Sequence, residues 1–139
     1  MKRFATAGSL AVLIALVACG GGTPKTNPSI SVVTRPASTG HVTILSPTLR
    51  EVIHGTVLHV RLQLTGARLV QVASANITPD TGHIHVSIDG KIKSLLAGLN
   101  YDATGLTPGT HLLSVEFVAA DHGPFNPRVI VTQTFVVEQ

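Results

Sequence analysis

Two histidines one residue apart, His83 and His85, are the side chains in this sequence best equipped for chemistry; they lie in TGHIHVSIDG, residues 81–90. Imidazole is the commonest protein ligand for transition metals, and its ordinary pKa lies near neutrality. Side chains of an extended strand alternate with period two, so both rings share one face, their Cβ atoms roughly 6.5–7 Å apart. Two ring nitrogens so placed can reach one Cu²⁺ or Zn²⁺ ion, but a protein zinc site takes three or four ligands. The best third candidate is His122, in AADHGPFNP, with Asp121 before it. The metal site expected from these residues is therefore His83, His85 and His122, with copper or zinc as the ion. The competing expectation is structural. On it, the outward histidines make cross-strand polar contacts and His122 hydrogen-bonds its own loop.

The other four histidines are weaker candidates. His111 shares the parity of Leu113, Val115 and Phe117, which marks it as inward-facing. His59 faces outward from a strand whose partner the sequence does not name. Around His122, Gly123, Pro124 and Pro127 restrict the backbone, Asn126 suits a turn, and Phe125 can pin the loop to a core. Asp121, Phe125 and Asn126 are accordingly the candidate residues of a binding loop, since rigid loops often present recognition surfaces.

Signals for an enzyme are missing from the sequence. There is no Gly-x-Ser-x-Gly elbow, no phosphate-binding glycine loop and no His-Glu-x-x-His. The seven carboxylates are scattered, and most read as solvated turn or strand residues. A non-enzymatic module is expected.

The elements that must position these residues are strands. GTVLHVRLQL puts Leu58, Val60, Leu62 and Leu64 on one face and His59, Arg61 and Gln63 on the other. GHIHVSIDG puts Ile84, Val86 and Ile88 on one face, which leaves His83 and His85 on the face expected to be wet. Asp89-Gly90 signals a hairpin into KIKSLLAG. A Pro-Gly turn at 108–109 leads to Leu113, Val115, Phe117 and Ala119 on one face. The last stretch, RVIVTQTFVVE, points Val129, Val131, Phe135 and Val137 inward. Glycine (13) and proline (8) punctuate these runs, and no amphipathic helix follows residue 40. About seven short strands at roughly ten-residue spacing predict an all-β domain, an immunoglobulin- or fibronectin-III-like β-sandwich, over residues 41–139. The Cys pair and Trp of antibody domains are absent.

The formal net charge of +3 is misleading. Residues 41–139 hold six Lys/Arg against seven Asp/Glu. A near-neutral domain carries no electrostatic footprint for nucleic acid.

The chain opens MKRFATAGSLAVLIALVACGGG: two cations, a short apolar run from about Leu10 to Ala18, then the only cysteine, Cys19. The run is too short to span a bilayer and reads as a secretory signal, residues 1–18. LVAC, Leu16 to Cys19, resembles the lipobox of bacterial lipoproteins, in which a small residue precedes the cysteine. The resemblance implies cleavage before Cys19 and a diacylglyceryl thioether on its sulfur. It thus implies a membrane anchor on the extracytoplasmic side of the cell envelope. Two acyl chains suffice for stable attachment, at about 0.8 kcal/mol per buried CH₂. Lipidation also consumes the only thiol. Residues 19–40 then form the lipidated cysteine and a Gly/Pro/Ser/Thr-rich linker, roughly 25 Å end to end as a flexible coil. Within it, SISVV, residues 29–33, is short and apolar enough to add an edge strand.

ITPDTGHIHVSIDG and LTPGTHLLSVEFVAADHGPFNPRVIVTQTFVV, within residues 77–137, are similar to a group of uncharacterised secreted bacterial Ig-like domains. Those share a Gly-His-rich strand ending in Ile-Asp, a Pro-Gly-x-His turn and an Asp-His loop before the last strand. Where some members have three consecutive histidines, Ile84 stands here, which removes one candidate ligand. The resemblance implies a sandwich fold and secretion, and no reaction. The expected protein is a lipid-anchored envelope module that binds an envelope protein or polymer or acts structurally; the alternative is an extracytoplasmic copper- or zinc-binding protein.

Overall fold

The computed structural model describes residues 34–138; the signal segment 1–18, Cys19 and SISVV lie outside them. Nine strands follow in order: β1 His41–Ser46, β2 Glu51–His54, β3 Leu58–Thr65, β4 Arg68–Leu69, β5 Thr81–Ile88, β6 Lys91–Leu96, β7 Asn100–Ala103, β8 Gly109–Ala119 and β9 Pro124–Glu138. They form two sheets. One has the order β1-β3-β7, and the other β2-β9-β8-β5-β4, with β6 also paired to β5. The domain is an all-β sandwich, as the alternation predicts. Among the described residues no helix is long and apolar enough to cross a membrane.

The inward sets predicted from parity make the core. Leu58, Val60 and Leu62 of β3 meet Ile84, Val86 and Ile88 of β5, Leu113, Val115 and Phe117 of β8, and Phe135 and Val137 of β9, all buried. Each such side chain stabilises the fold by about 1.5–3 kcal/mol through removal from water. Gln133 falls between Val131 and Phe135 at an inward position of β9. Its amide is satisfied by the Pro47 carbonyl, so this polar residue is tolerated there.

Strands β2, β4 and β7 have no counterpart in the sequence-based expectation. The chain changes sheets at Pro47: β1 pairs antiparallel with β3, while β2 pairs parallel with the end of β9. Pro127 sits in β9 before β2 begins to pair with it and within the register shift against β8, so its missing N–H breaks no ladder. Asp89 and Gly90 turn β5 into β6 with positive φ at both, 52° and 75°, the geometry of a two-residue hairpin.

Residues 34–40, assigned by composition to the linker, run along the sandwich. The Thr39 N–H donates to the Pro79 carbonyl at 3.0 Å and the Thr39 hydroxyl to the Gly66 carbonyl at 2.7 Å. Gly40 packs so tightly on Phe117 and Ala67 that a Cβ there would collide with both.

Candidate functional site

The structure brings His83, His85 and His122 together. β5 supplies the first two from its outer face, and its register against β8 sets their height: His83 opposite Val118, His85 opposite Glu116. Gly82 allows this. A Cβ at Gly82 would run into the Val118 carbonyl, so β5 and β8 approach more closely here than any side chain would permit.

His122 arrives from the short connection between β8 and β9. Its N–H donates to the Ala119 carbonyl at 2.9 Å, and the Ala119 N–H donates to the Gly123 carbonyl at 2.9 Å. Asp121 accepts the Gly123 N–H on Oδ1 at 3.0 Å. The turn holds His122 at φ 63°, a left-handed conformation that costs a residue with a Cβ about 1–2 kcal/mol. The result is a ring folded back over β5. It stacks on His83 with centroids 4.2 Å apart and planes within 11°. It also lies beside His85, centroids 5.5 Å apart, with His85 Nε2 and His122 Nδ1 separated by 3.2 Å.

The cover corrects one expectation. The face bearing the two histidines is not uniformly wet: His85 is half-buried, and His83 is only 4% exposed. Parity places a side chain outside the sheet, but it does not say what lies on top. Here the His122 ring does. His83 Nδ1 has no hydrogen-bond partner, the one such buried side-chain atom among the described residues. Buried polar atoms are usually paired, so an orphan of this kind calls for an explanation.

Burial, followed by the neighbouring His122, pushes the His83 imidazole below its ordinary pKa. His85 is lowered by burial first and then by His122, against the opposing pull of Glu116. Both effects favour the neutral ring. Glu116 itself, 12% exposed, is engaged by Arg128 through two bonds, Nε to Oε1 at 2.7 Å and Nη2 to Oε2 at 2.6 Å.

As the rings stand, no group of three His, Cys, Asp or Glu side chains among the described residues is arranged to hold a metal ion. Stacking is the reason. Imidazole lone pairs lie in the ring plane, so the parallel rings of His83 and His122 present π faces to each other rather than nitrogens. His85 and His122 differ, because they meet nitrogen to nitrogen.

The candidate binding loop divides. Asp121 is bound by Arg35 Nη1 at 2.7 Å. Phe125 is not a surface residue: it is 2% exposed and stacks on Phe117 at 5.3 Å. Phe125 and Asn126 also lie in β9 rather than in the loop. An aromatic ring beside a short turn is drawn into the core by its own apolar area, and pins the turn from below. Asn126 is exposed, and its N–H donates to the Pro36 carbonyl at 3.0 Å.

The other histidines stay apart from this cluster. His59 pairs with Asp102 at 2.9 Å on the three-stranded sheet, and His111 pairs with Asp89 at 2.7 Å at the far end of β8. Two residues of the site were missed in the sequence. Glu116 has the outward parity of β8 and was legible in principle once β5 and β8 are paired. Arg35 was not, since 86 positions separate it from Asp121.

No protein-family model matches the chain, and no curated protein sequence matches it. Solved structures do resemble it. The fibronectin(III)-like modules of Clostridium thermocellum CbhA align with a TM-score of 0.49 and 17% identity, over 69% of this chain and 93% of theirs. CopC from Methylosinus trichosporium OB3b aligns with a TM-score of 0.38 and 16% identity, over 70% of this chain and 94% of its own. These likenesses concern the fold alone.

Proposed function

We propose that this chain is a lipid-tethered, extracytoplasmic β-sandwich module of the bacterial cell envelope, without enzymatic activity, that binds a divalent copper or zinc ion at His83, His85 and His122. One observation carries the metal reading: His85 Nε2 and His122 Nδ1 face each other at 3.2 Å. Two imidazole nitrogens on one tetrahedral ion, each roughly 2.0–2.1 Å from it, stand about 3.3 Å apart. The same separation suits a hydrogen bond between two neutral rings. Metal binding replaces that shared proton, with each ring tilting so that its lone pair points at an ion beside the line between the two nitrogens. His83 becomes the third ligand when its ring turns out of the stack, and coordination would give its orphaned Nδ1 a partner.

The donor set points to the ion. The only cysteine is Cys19 and the only methionine is Met1, and on this reading neither belongs to the site. Imidazoles without sulfur suit Cu²⁺ and Zn²⁺, with Cu²⁺ the tighter by the general order of divalent affinities.

Titration of the full-length chain in detergent with Cu²⁺ and Zn²⁺ tests the site. The expected result is one ion per chain at sub-micromolar affinity, lost in His85→Ala and in His122→Ala. Both positions have solvent access, so the fold tolerates either change. Failure to bind one equivalent of either ion, or unchanged binding in both variants, would end the metal reading. The tether is tested separately. Cys19→Ala should abolish incorporation of labelled acyl chains and release the protein from the membrane fraction, and full retention would sink the anchor.

A further inference from the structure

The segment that enters the sandwich from the linker grips the loop that carries His122. Arg35 Nη1 donates to Asp121 Oδ1 at 2.7 Å, and both side chains are only 25% exposed. The same carboxylate oxygen accepts the Gly123 N–H. The guanidinium occupies the space where a Gly123 side chain would project; a Cβ there would run into its nitrogens and central carbon. One residue further, the Pro36 carbonyl accepts the Asn126 N–H. Arg35 and Pro36 therefore hold Asp121, Gly123 and Asn126, and the first two of these flank His122 on either side.

This arrangement accounts for two features at once. His122 sits in a left-handed backbone conformation that local sequence does not favour, so the surroundings must hold it there. Gly123 has ordinary backbone angles in no need of glycine, yet any side chain there would push the Arg35 guanidinium out of its present place.

We infer that Arg35 is a positioning residue for the histidine cluster: by clasping Asp121 against Gly123 it sets where the His122 ring stands over His83 and His85. Docking of residues 35–36 and occupancy of the cluster are then thermodynamically linked, because each favours the same placement of one loop. The clasp stands on the contacts alone, whereas the link to an ion rests on the metal reading above. A pull on the tether that lifts Arg35 away would loosen His122 and release the ion, and a bound ion would resist that lifting to the same degree.

The experiment uses the full-length chain in detergent with three variants. Arg35→Ala removes the clasp. Gly123→Ala displaces the guanidinium while leaving its charge in the chain. Arg35→Lys keeps a cation that can reach Asp121. Two readouts are taken: hydrogen exchange and imidazole NMR signals of the loop in the metal-free protein, and Cu²⁺ affinity. In Arg35→Ala and Gly123→Ala, exchange at the His122, Gly123 and Asn126 amides should rise about tenfold or more while exchange in the core of β5 and β8 is unchanged. The His122 ring signals should shift. Cu²⁺ affinity should fall about tenfold, the lower end of the range for residues that orient a ligand from behind. Arg35→Lys should restore part of both. Unchanged loop exchange and unchanged ring signals in both clasp-breaking variants would overturn the clasp. A loosened loop with unaltered Cu²⁺ affinity would overturn the link. A loosened loop in variants of a chain that binds no metal supports the clasp and removes the metal reading alone.

Discussion

At the scale of single residues, two histidines of opposite electrostatic character sit on the same sheet. His83 is buried without a partner for Nδ1 and is pushed down. His111 is pushed up, first by its hydrogen bond to Asp89 and then by the Thr107 carbonyl. Asp89 is lowered in turn, by the Leu112 N–H first and by His111 next, with Lys93 adding to the effect. The signs follow. A histidine whose pKa is raised on folding stabilises the fold below its unfolded value, near 6.5, and that contribution is lost as pH rises through the folded value. A lowered aspartate stabilises above about 3.8 and loses its contribution as pH falls through the lower folded value. The pair therefore contributes most between about pH 4 and 6.5. Lys91 and Lys93 line the same corner, and Lys93 works against a charged His111. Denaturant unfolding at pH 5 and pH 8 should show a larger fall in stability for the parent chain than for His111→Gln. Equal falls in the two proteins would contradict this assignment.

At the scale of elements, alternation carried the reading of the long strands. β3, β5, β8 and β9 bury the sets that parity picks out, because each is apolar on one side over at least three positions. β2 and β7 escaped for a physical reason. Each has four residues, and Glu51-Val-Ile-His54 and Asn100-Tyr-Asp-Ala103 hold too few apolar side chains to display a period. Their pairing is decided by neighbours already in place, β9 for β2 and β3 for β7. The histidine site was legible to a similar depth. His83 and His85 share a face because the strand dictates it, and His122 was singled out by its loop. The stack between His122 and His83 was not legible, because it depends on how the β8–β9 turn folds back and on Arg35 gripping it. Phe125 was legible as a core anchor, and only its assignment to a binding loop failed. Its neighbours in sequence are turn formers, and its ring packs on Phe117, one of the inward set that parity picks out of the preceding strand.

At the scale of the whole molecule, the sandwich begins earlier than composition alone indicates. Composition ends the linker at residue 40, but the contacts of Arg35, Pro36, Ser38, Thr39 and Gly40 belong to the sandwich. The described part of the chain thus meets the sandwich from residue 35 onward. The energetic weight of the strap can be bounded. Net contributions of about 0.5–1.5 kcal/mol per hydrogen bond apply to the Thr39 and Pro36 backbone bonds and the Thr39 hydroxyl, for a total of about 1.5–4.5 kcal/mol before any gain from the Arg35–Asp121 pair. A domain of this size shifts its melting temperature by about 4–8 °C per kcal/mol. A chain beginning at residue 34 should therefore melt within about 3 °C of the full-length protein, since it keeps every one of these bonds. A chain beginning at residue 41 should melt roughly 6 °C or more lower, because it loses these bonds and uncovers Phe117. Paired calorimetric melts decide the matter: equal melting temperatures for the two truncations would return residues 34–40 to the linker and leave His122 to be held by its own turn alone.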